Sequence, residues 1–224
     1  MIAITFALRA ESSEFVAQLA DEKMIRQAVV LHTGVGQKKC QDKIEEFLRH
    51  SRPDFLISSG FAGGISQDLQ AGDLICGENF SDRQLLSTAE RILGSAVRPI
   101  NILTTTEIID SAAQRAEQAR ASRAAAVDME TEFIARACAA RGIRMLSLRV
   151  ISDSVRDPLP LPISILFNLE KQRTDPVKLS GHLLKHPTAI LRLIRFSRQI
   201  ARARSTLAQA LMKLLQADSL GGKD

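Results

Sequence analysis

The chain has 224 residues, 45% hydrophobic and 25% charged, a length that suits one sizeable α/β domain and a balance that excludes both a disordered chain and a membrane-spanning architecture. Trp and Tyr are absent and nine Phe supply all the aromatic rings, which excludes an extended stacking platform for single-stranded nucleic acid. The net charge is +5, and the excess lies in an acid-free stretch from Pro176 to Ala217 that holds Lys178, Lys185, Arg192, Arg195, Arg198, Arg202, Arg204 and Lys213. In chain order, Met1 leads directly into the strand-like run Ile2 to Leu8 without the pattern of a secretory signal, so a cytoplasmic protein is expected. Further strands are predicted at about 28–33, 54–59, 73–76, 98–104, 123–128 and 144–151. Helices are predicted at about 11–20, 37–50, 83–93, 109–120 and 129–141, the last closed by Gly142.

This alternation predicts a sheet covered on both faces. Pro158, Pro160 and Pro162 then end the strand pattern. Residues 1–157 are read as the α/β domain, and 158–224 as a C-terminal helical extension packed on or beside it. From Pro187 a long helix gathers Ile190, Leu193, Ile194, Ile200, Leu207, Leu211 and Leu215 on one side and Arg192, Arg195, Arg198, Arg202 and Lys213 on the other. Cys40, Cys76 and Cys138 are widely spaced and form no CxxC pair, which gives neither a disulfide framework nor a zinc site. His182 and His186 lack an adjoining Glu, and no metal is expected.

Candidate chemistry gathers where strands give way to turns or helices, the place where open α/β sheets bind ligands. Thr33-Gly-Val-Gly36 lacks the third glycine of a dinucleotide fingerprint and the Lys-Ser/Thr of a P-loop. Those glycines, like Gly60 to Gly64, are equally explained by tight turns. Asp153 follows the apolar run Met145 to Ile151, so its carboxyl is expected at the end of a buried strand. Desolvation there suits a carboxyl to act as an acid, although an Asp capping a turn reads the same way. Glu130 opens a helix, where the helix dipole alone favours a carboxylate.

In order and spacing, Thr33-Gly-Val-Gly36, Ser59-Gly-Phe-Ala-Gly-Gly64, Ala71-Gly-Asp-Leu-Ile75, Ala126-Val-Asp-Met-Glu130 and Arg149-Val-Ile-Ser-Asp153 resemble the superfamily of purine and uridine nucleoside phosphorylases and methylthioadenosine/S-adenosylhomocysteine nucleosidases. The resemblance runs from Met1 to about Pro158. It implies a three-layer α/β/α sandwich around a mixed twisted sheet, a homo-oligomer, and cleavage of a purine N-glycosidic bond without metal or organic cofactor. In such enzymes Glu130 would take hydrogen bonds from the ribose hydroxyls, Met129 would pack on the sugar, and Asp153 would give a proton towards purine N7. Phe61, Ala62, Gly63 and Ile108 would lie near base and sugar, with Val127 and Ile151 as the floor. Glu11 matches the carboxylate that activates water in the nucleosidases, whereas Arg9, Thr33 and Gly34 could hold inorganic phosphate as co-substrate. Hydrolysis and phosphorolysis both stand at this point. Phe61 replaces the Ser or Thr of many relatives, and the segment from Glu78 to Ala96 is short for the family, which implies an open pocket.

The prolines after Asp153 and the basic C-terminus look most like the hopanoid-associated phosphorylase-like branch, implicated in removing adenine from adenosylhopane. A lipid-linked nucleoside is therefore the expected substrate, with the basic helix either resting on the inner membrane surface or packing on protein. The alternatives are a non-catalytic nucleoside-binding protein of the same fold and a membrane- or RNA-associated scaffold acting through the tail. The first fits poorly with the presence of Glu11, Glu130 and Asp153. The tail carries no recognisable nucleic-acid-binding motif, so no nucleic-acid partner is expected.

Overall fold

The computed structural model describes residues 1–21, 28–109, 111–168, 172 and 174–217. Its strands are β1 (Ile2–Phe6), β2 (Ala28–His32), β3 (Phe55–Gly64), β4 (Leu74–Gly77), β5 (Val97–Ile100), β6 (Ile102–Thr104), β7 (Ala126–Asp128) and β8 (Arg144–Asp153). They join in one mixed sheet in the order β2-β1-β3-β8-β4-β5, with β7 attached to the far end of β3 and β6 to β7. The two long central strands, β3 and β8, carry near-continuous buried runs, as expected of strands covered on both faces. They pair in parallel from Phe55 opposite Arg144 to Gly63 opposite Asp153, with the register shifting between Ala62 and Gly63. An irregularity of this kind bends a strand and re-aims its side chains, and here it falls beside Asp153.

The helices are α1 (Arg9–Asp21), α2 (Gln37–His50), α3 (Arg83–Leu93), α4 (Ala112–Ser122), α5 (Thr131–Ala139), α6 (Ile163–Leu166), α7 (Pro176–Lys185) and α8 (Ala189–Gln216). On one face of the sheet Phe15 of α1, Leu85 of α3 and Leu207 and Leu211 of α8 pack on Ile4, Ile57 and Leu148. On the other, Ile44 of α2 and Ile134 of α5 pack on Ala3, Leu56 and Met145. The result is the expected α/β/α sandwich. No helix among the described residues is long and apolar enough to cross a membrane.

Three expectations change. The strand expected over 98–104 is two strands: Asn79 donates to the Ile102 carbonyl and accepts from its amide, both at 2.9 Å, so a side chain takes the place of a strand partner while the chain passes from β4 to β7. The glycines from Gly60 to Gly64, read as turn residues, continue β3, because Gly63 and Gly64 pair with Val127 and Ala126 of β7. The helix expected over 129–141 is confined to Thr131–Ala139; Gly142, at φ 64°, then reverses the chain into β8.

The extension after Asp157 shares the core of the sheet. The C-terminal half of α8 buries Ala203, Leu207, Ala208, Leu211 and Leu214 in it. The N-terminal half projects: Leu191 is 75% exposed, and Ile190 and Ile194 are also exposed. The apolar side read from the sequence is thus one stripe with two environments.

Candidate functional site

A cavity of about 410 Å³ opens where β3 and β8 end, walled by β7 and the turn before α5 on one side and by the tail on the other. Glu11, Glu130 and Asp153 all line it, as do Phe61, Ala62 and Gly63 of β3, and Ile108, Val127 and Met129. Two acids separated by much of β8 and all of α5 thus meet at one space, as the sequence reading required.

On one side of the cavity the carboxylates crowd a single cation. Arg149, inside β8, is 2% exposed. Its Nε donates to Asp128 at 3.1 Å, and its Nη2 donates to Ser58 Oγ at 2.8 Å and Thr131 Oγ1 at 2.7 Å. Glu130 is the residue before α5, yet its side chain does not cap that helix. It accepts instead from the Gly36 amide, 2.9 Å away at the start of α2. Burial, reinforced by the charges of Asp128 and Glu11 against the opposing Gly36 hydrogen bond and Arg149 charge, pushes the Glu130 carboxyl well above the usual carboxylate range. Burial likewise raises Glu11, opposed by backbone amides, including Leu8 at 3.0 Å, and by Arg149. Gly60 is needed here: a Cβ would stand 3.3 Å from Glu11 Oε2, and φ there is 152°, which L residues rarely adopt.

Glu11, Glu130 and Arg149 also border a chamber of about 10 Å³ together with Thr33 and Ser59. The hydroxyls of Ser59 and Thr5 at this chamber are buried without a partner among the described residues. That volume is about what one water needs. Thr33 is buried with its hydroxyl turned to the Phe6 and Gly34 carbonyls. Arg9 is exposed on the first turn of α1, and neither it nor Gly34 lines the cavity or the chamber. Of Arg9, Thr33 and Gly34, Thr33 alone borders one of these two spaces.

Asp153 faces the cavity from the end of β8. Ser152 Oγ donates to its Oδ1 at 2.6 Å, and Arg115 of α4 is ion-paired to its Oδ2. Ile151, expected on the floor, is instead wholly buried with Ala62, Leu69, Ile75, Ile102 and Ala126 and does not line the cavity. The sequence reading gave no role to Arg115, Asp128, Arg149 or Ser152. A charged residue inside the apolar run Met145 to Ile151 was a signal for Arg149. Arg115 sits in an Ala- and Gln-rich helix and gave none. Also unforeseen is an apolar wall of Leu159, Leu166, Phe167, Phe196 and Ile200, contributed by the segment after Asp157. Gln199 ties this wall to β8 by donating to the Ser152 carbonyl at 2.8 Å. Among the described residues no group of three or more His, Cys, Asp or Glu is placed to hold a metal ion.

The family model of the phosphorylase superfamily matches residues 78–185. The chain is similar to a 5′-methylthioadenosine/S-adenosylhomocysteine nucleosidase of Actinobacillus succinogenes, 26% identical over 158 residues, which is 58% of this chain and 69% of the relative. Among solved structures, the same kind of nucleosidase from Neisseria meningitidis, in complex with methylthio-immucillin-A, superposes with a TM-score of 0.70 at 17% identity, covering 96% of this chain and 98% of the other. Futalosine hydrolase of Helicobacter pylori superposes with a TM-score of 0.69 at 15% identity, covering 95% and 96%. At such identities the structural likeness speaks for the fold alone.

Proposed function

We infer, on the premise that this chain is a relative of the phosphorylase superfamily, that it cleaves the N-glycosidic bond of a purine nucleoside by hydrolysis. The observation that carries this reading is the convergence of Glu130 and Asp153 on one cavity. Glu130 takes hydrogen bonds from the ribose hydroxyls, and Met129 packs on the sugar. Asp153 gives a proton to purine N7 as the bond from C1′ to N9 breaks and its electron pair passes to the base. Glu11 takes the proton of the attacking water, whose oxygen joins C1′, so that free purine and a free ribose that keeps its 5′ substituent are the products. Hydrolysis is favoured over phosphorolysis by three points: the relative above is a nucleosidase, the chamber beside Glu11 is sized for water, and Arg9 lines neither the cavity nor the chamber.

The finer reading concerns the 5′ substituent of the ribose. The wall of Leu159, Leu166, Phe167, Phe196 and Ile200 supports an apolar, lipid-linked group of the hopanoid kind. The exposed Leu191 and Ile194, flanked by Arg192, Arg195 and Arg198 on the same helix, would bring the enzyme to an anionic membrane surface where such a substrate resides.

The test is a product assay. Purine release should yield free ribose whether or not phosphate is present, and Asp153→Asn should lower release by at least about a hundredfold, the scale of a lost general acid. Ribose 1-phosphate as the sole product would overturn hydrolysis. Near-normal turnover by Asp153→Asn would overturn the assignment of the acid.

A further inference from the structure

Arg115 is a buried cation at the wall of the cavity. Its side chain is 3% exposed, and it reaches the end of β8 from α4. Nη1 donates to the Gly64 carbonyl at 2.9 Å, Nη2 is paired with Asp153 Oδ2, and Nε has no partner among the described residues. Desolvating a guanidinium costs several kcal/mol unless the charge is paired and its donors are used. A guanidinium also carries more N–H donors than these contacts occupy. A structural strut would be expected to spend them on the protein. Here Nε is buried without such a partner among the described residues, and the residue borders the cavity beside Asp153.

Gly63 keeps this place open. A Cβ there would stand 3.6 Å from Asp153 Oδ2 and 3.8 Å from Arg115 Nη1, against the face that the pair turns towards it. Asp153 has both oxygens engaged, Oδ1 by Ser152 and Oδ2 by Arg115. A purine that reaches Asp153 therefore reaches the guanidinium as well.

We propose that Arg115 is a catalytic residue that donates hydrogen bonds to the ring nitrogens of the departing purine and so stabilises the negative charge the base acquires. This deepens the reading above and rests on it. The C1′ to N9 bond breaks with its electrons passing to the purine; Arg115 holds the negative charge that builds before the N7 proton arrives from Asp153, keeps its own protons, and then pairs with the Asp153 carboxylate while the purine leaves neutral. Fixed donors aimed at developing charge in a water-poor site act in this way, and the loss of one commonly costs about 10²- to 10³-fold in rate.

The experiment compares leaving groups in the full-length protein. Wild type, Arg115→Met, Arg115→Lys and Asp153→Asn are assayed on a purine nucleoside and on the p-nitrophenyl riboside with the same 5′ group, whose leaving group departs unaided. Arg115→Met should lose about a hundredfold in kcat/KM on the purine nucleoside and less than about threefold on the nitrophenyl riboside, the same split as Asp153→Asn. Arg115→Lys, which keeps the charge without the planar fork, should fall between Arg115→Met and wild type. Equal losses of Arg115→Met on both substrates mark a merely structural role, and undiminished purine release marks no role; either overturns the proposal while leaving the activity standing. A wild type that cleaves the nitrophenyl riboside and no purine nucleoside overturns the functional reading and this inference with it.

Discussion

The two sides of the cavity differ in their balance of charge. Around Arg149 stand three carboxylates, Glu11, Asp128 and Glu130, so the balance there is acidic. Around Asp153 one carboxylate meets one guanidinium, and the balance is neutral with donors to spare. Breaking a glycosidic bond separates charge, leaving the sugar positive and the base negative. On the proposed function, the acids around Arg149 face the sugar and the Arg115–Asp153 pair faces the base, an arrangement complementary to that separated state more than to the neutral nucleoside, which is the condition for lowering a barrier. The difference between the sides also explains why the shifts fall where they do: with one cation shared among several acids, burial dominates, and Glu11 and Glu130 are raised.

The sharpest way to break this contrast is to neutralise the acidic side. Glu11→Gln should lower hydrolysis by about 10²-fold or more, as expected on losing a general base. As a base, Glu11 works when ionised. Its raised value places the acid limb of wild-type activity above the ordinary 4.5, with activity falling as pH drops through that limb. Stability runs the other way. A carboxyl raised on folding favours the native state fully below 4.5, and that contribution is lost as pH rises through its folded value, so Glu11→Gln should flatten the decline. Thermal unfolding and kcat/KM measured across pH check both signs. An unchanged acid limb in the variant would remove Glu11 from the reaction.

A smaller effect is expected at Gly60. In Gly60→Ala the new Cβ meets Glu11 Oε2, and a φ of 152° is imposed on an L residue. A cost of about 1–3 kcal/mol in stability and about tenfold in kcat follows from strain of this kind. The measurement is denaturant unfolding beside steady-state rates. Full activity would show that Glu11 has room to move.

Much of this was legible in the chain, for identifiable reasons. The alternation of apolar runs and helical patterns placed the layers, and the strand-end positions of Glu130 and Asp153 put both acids at one cavity. What could not be read depended on partners distant in sequence. Gly60 to Gly64 look like a turn until β7 and β8 are seen pairing with them. Asn79 cannot be known to break a strand at Ile102 before the two are brought together. Ile151 ends the apolar run and Asp153 stands two residues on, but past the register shift beside Gly63 Asp153 lines the cavity and Ile151 does not. Arg115 is one Arg in a polar helix, and only burial against Asp153 distinguishes it.

The least effect belongs to the tail, and it separates the chemistry from the choice of substrate. Phe196 and Ile200 lie on the projecting half of α8 and line the cavity with apolar side chains. Phe196→Ala removes apolar contact and touches neither acid. It should therefore leave kcat on 5′-methylthioadenosine unchanged, while raising KM about fivefold for a nucleoside with a long alkyl group at the 5′ carbon, the scale of one methylene's worth of lost apolar burial. Contact made equally in the ground and transition states appears in KM alone, so a fall in kcat would mean that the tail shapes the reacting geometry. Equal KM changes for short and long 5′ groups would mean that the wall does not select the substituent, and the lipid-linked substrate would lose its support.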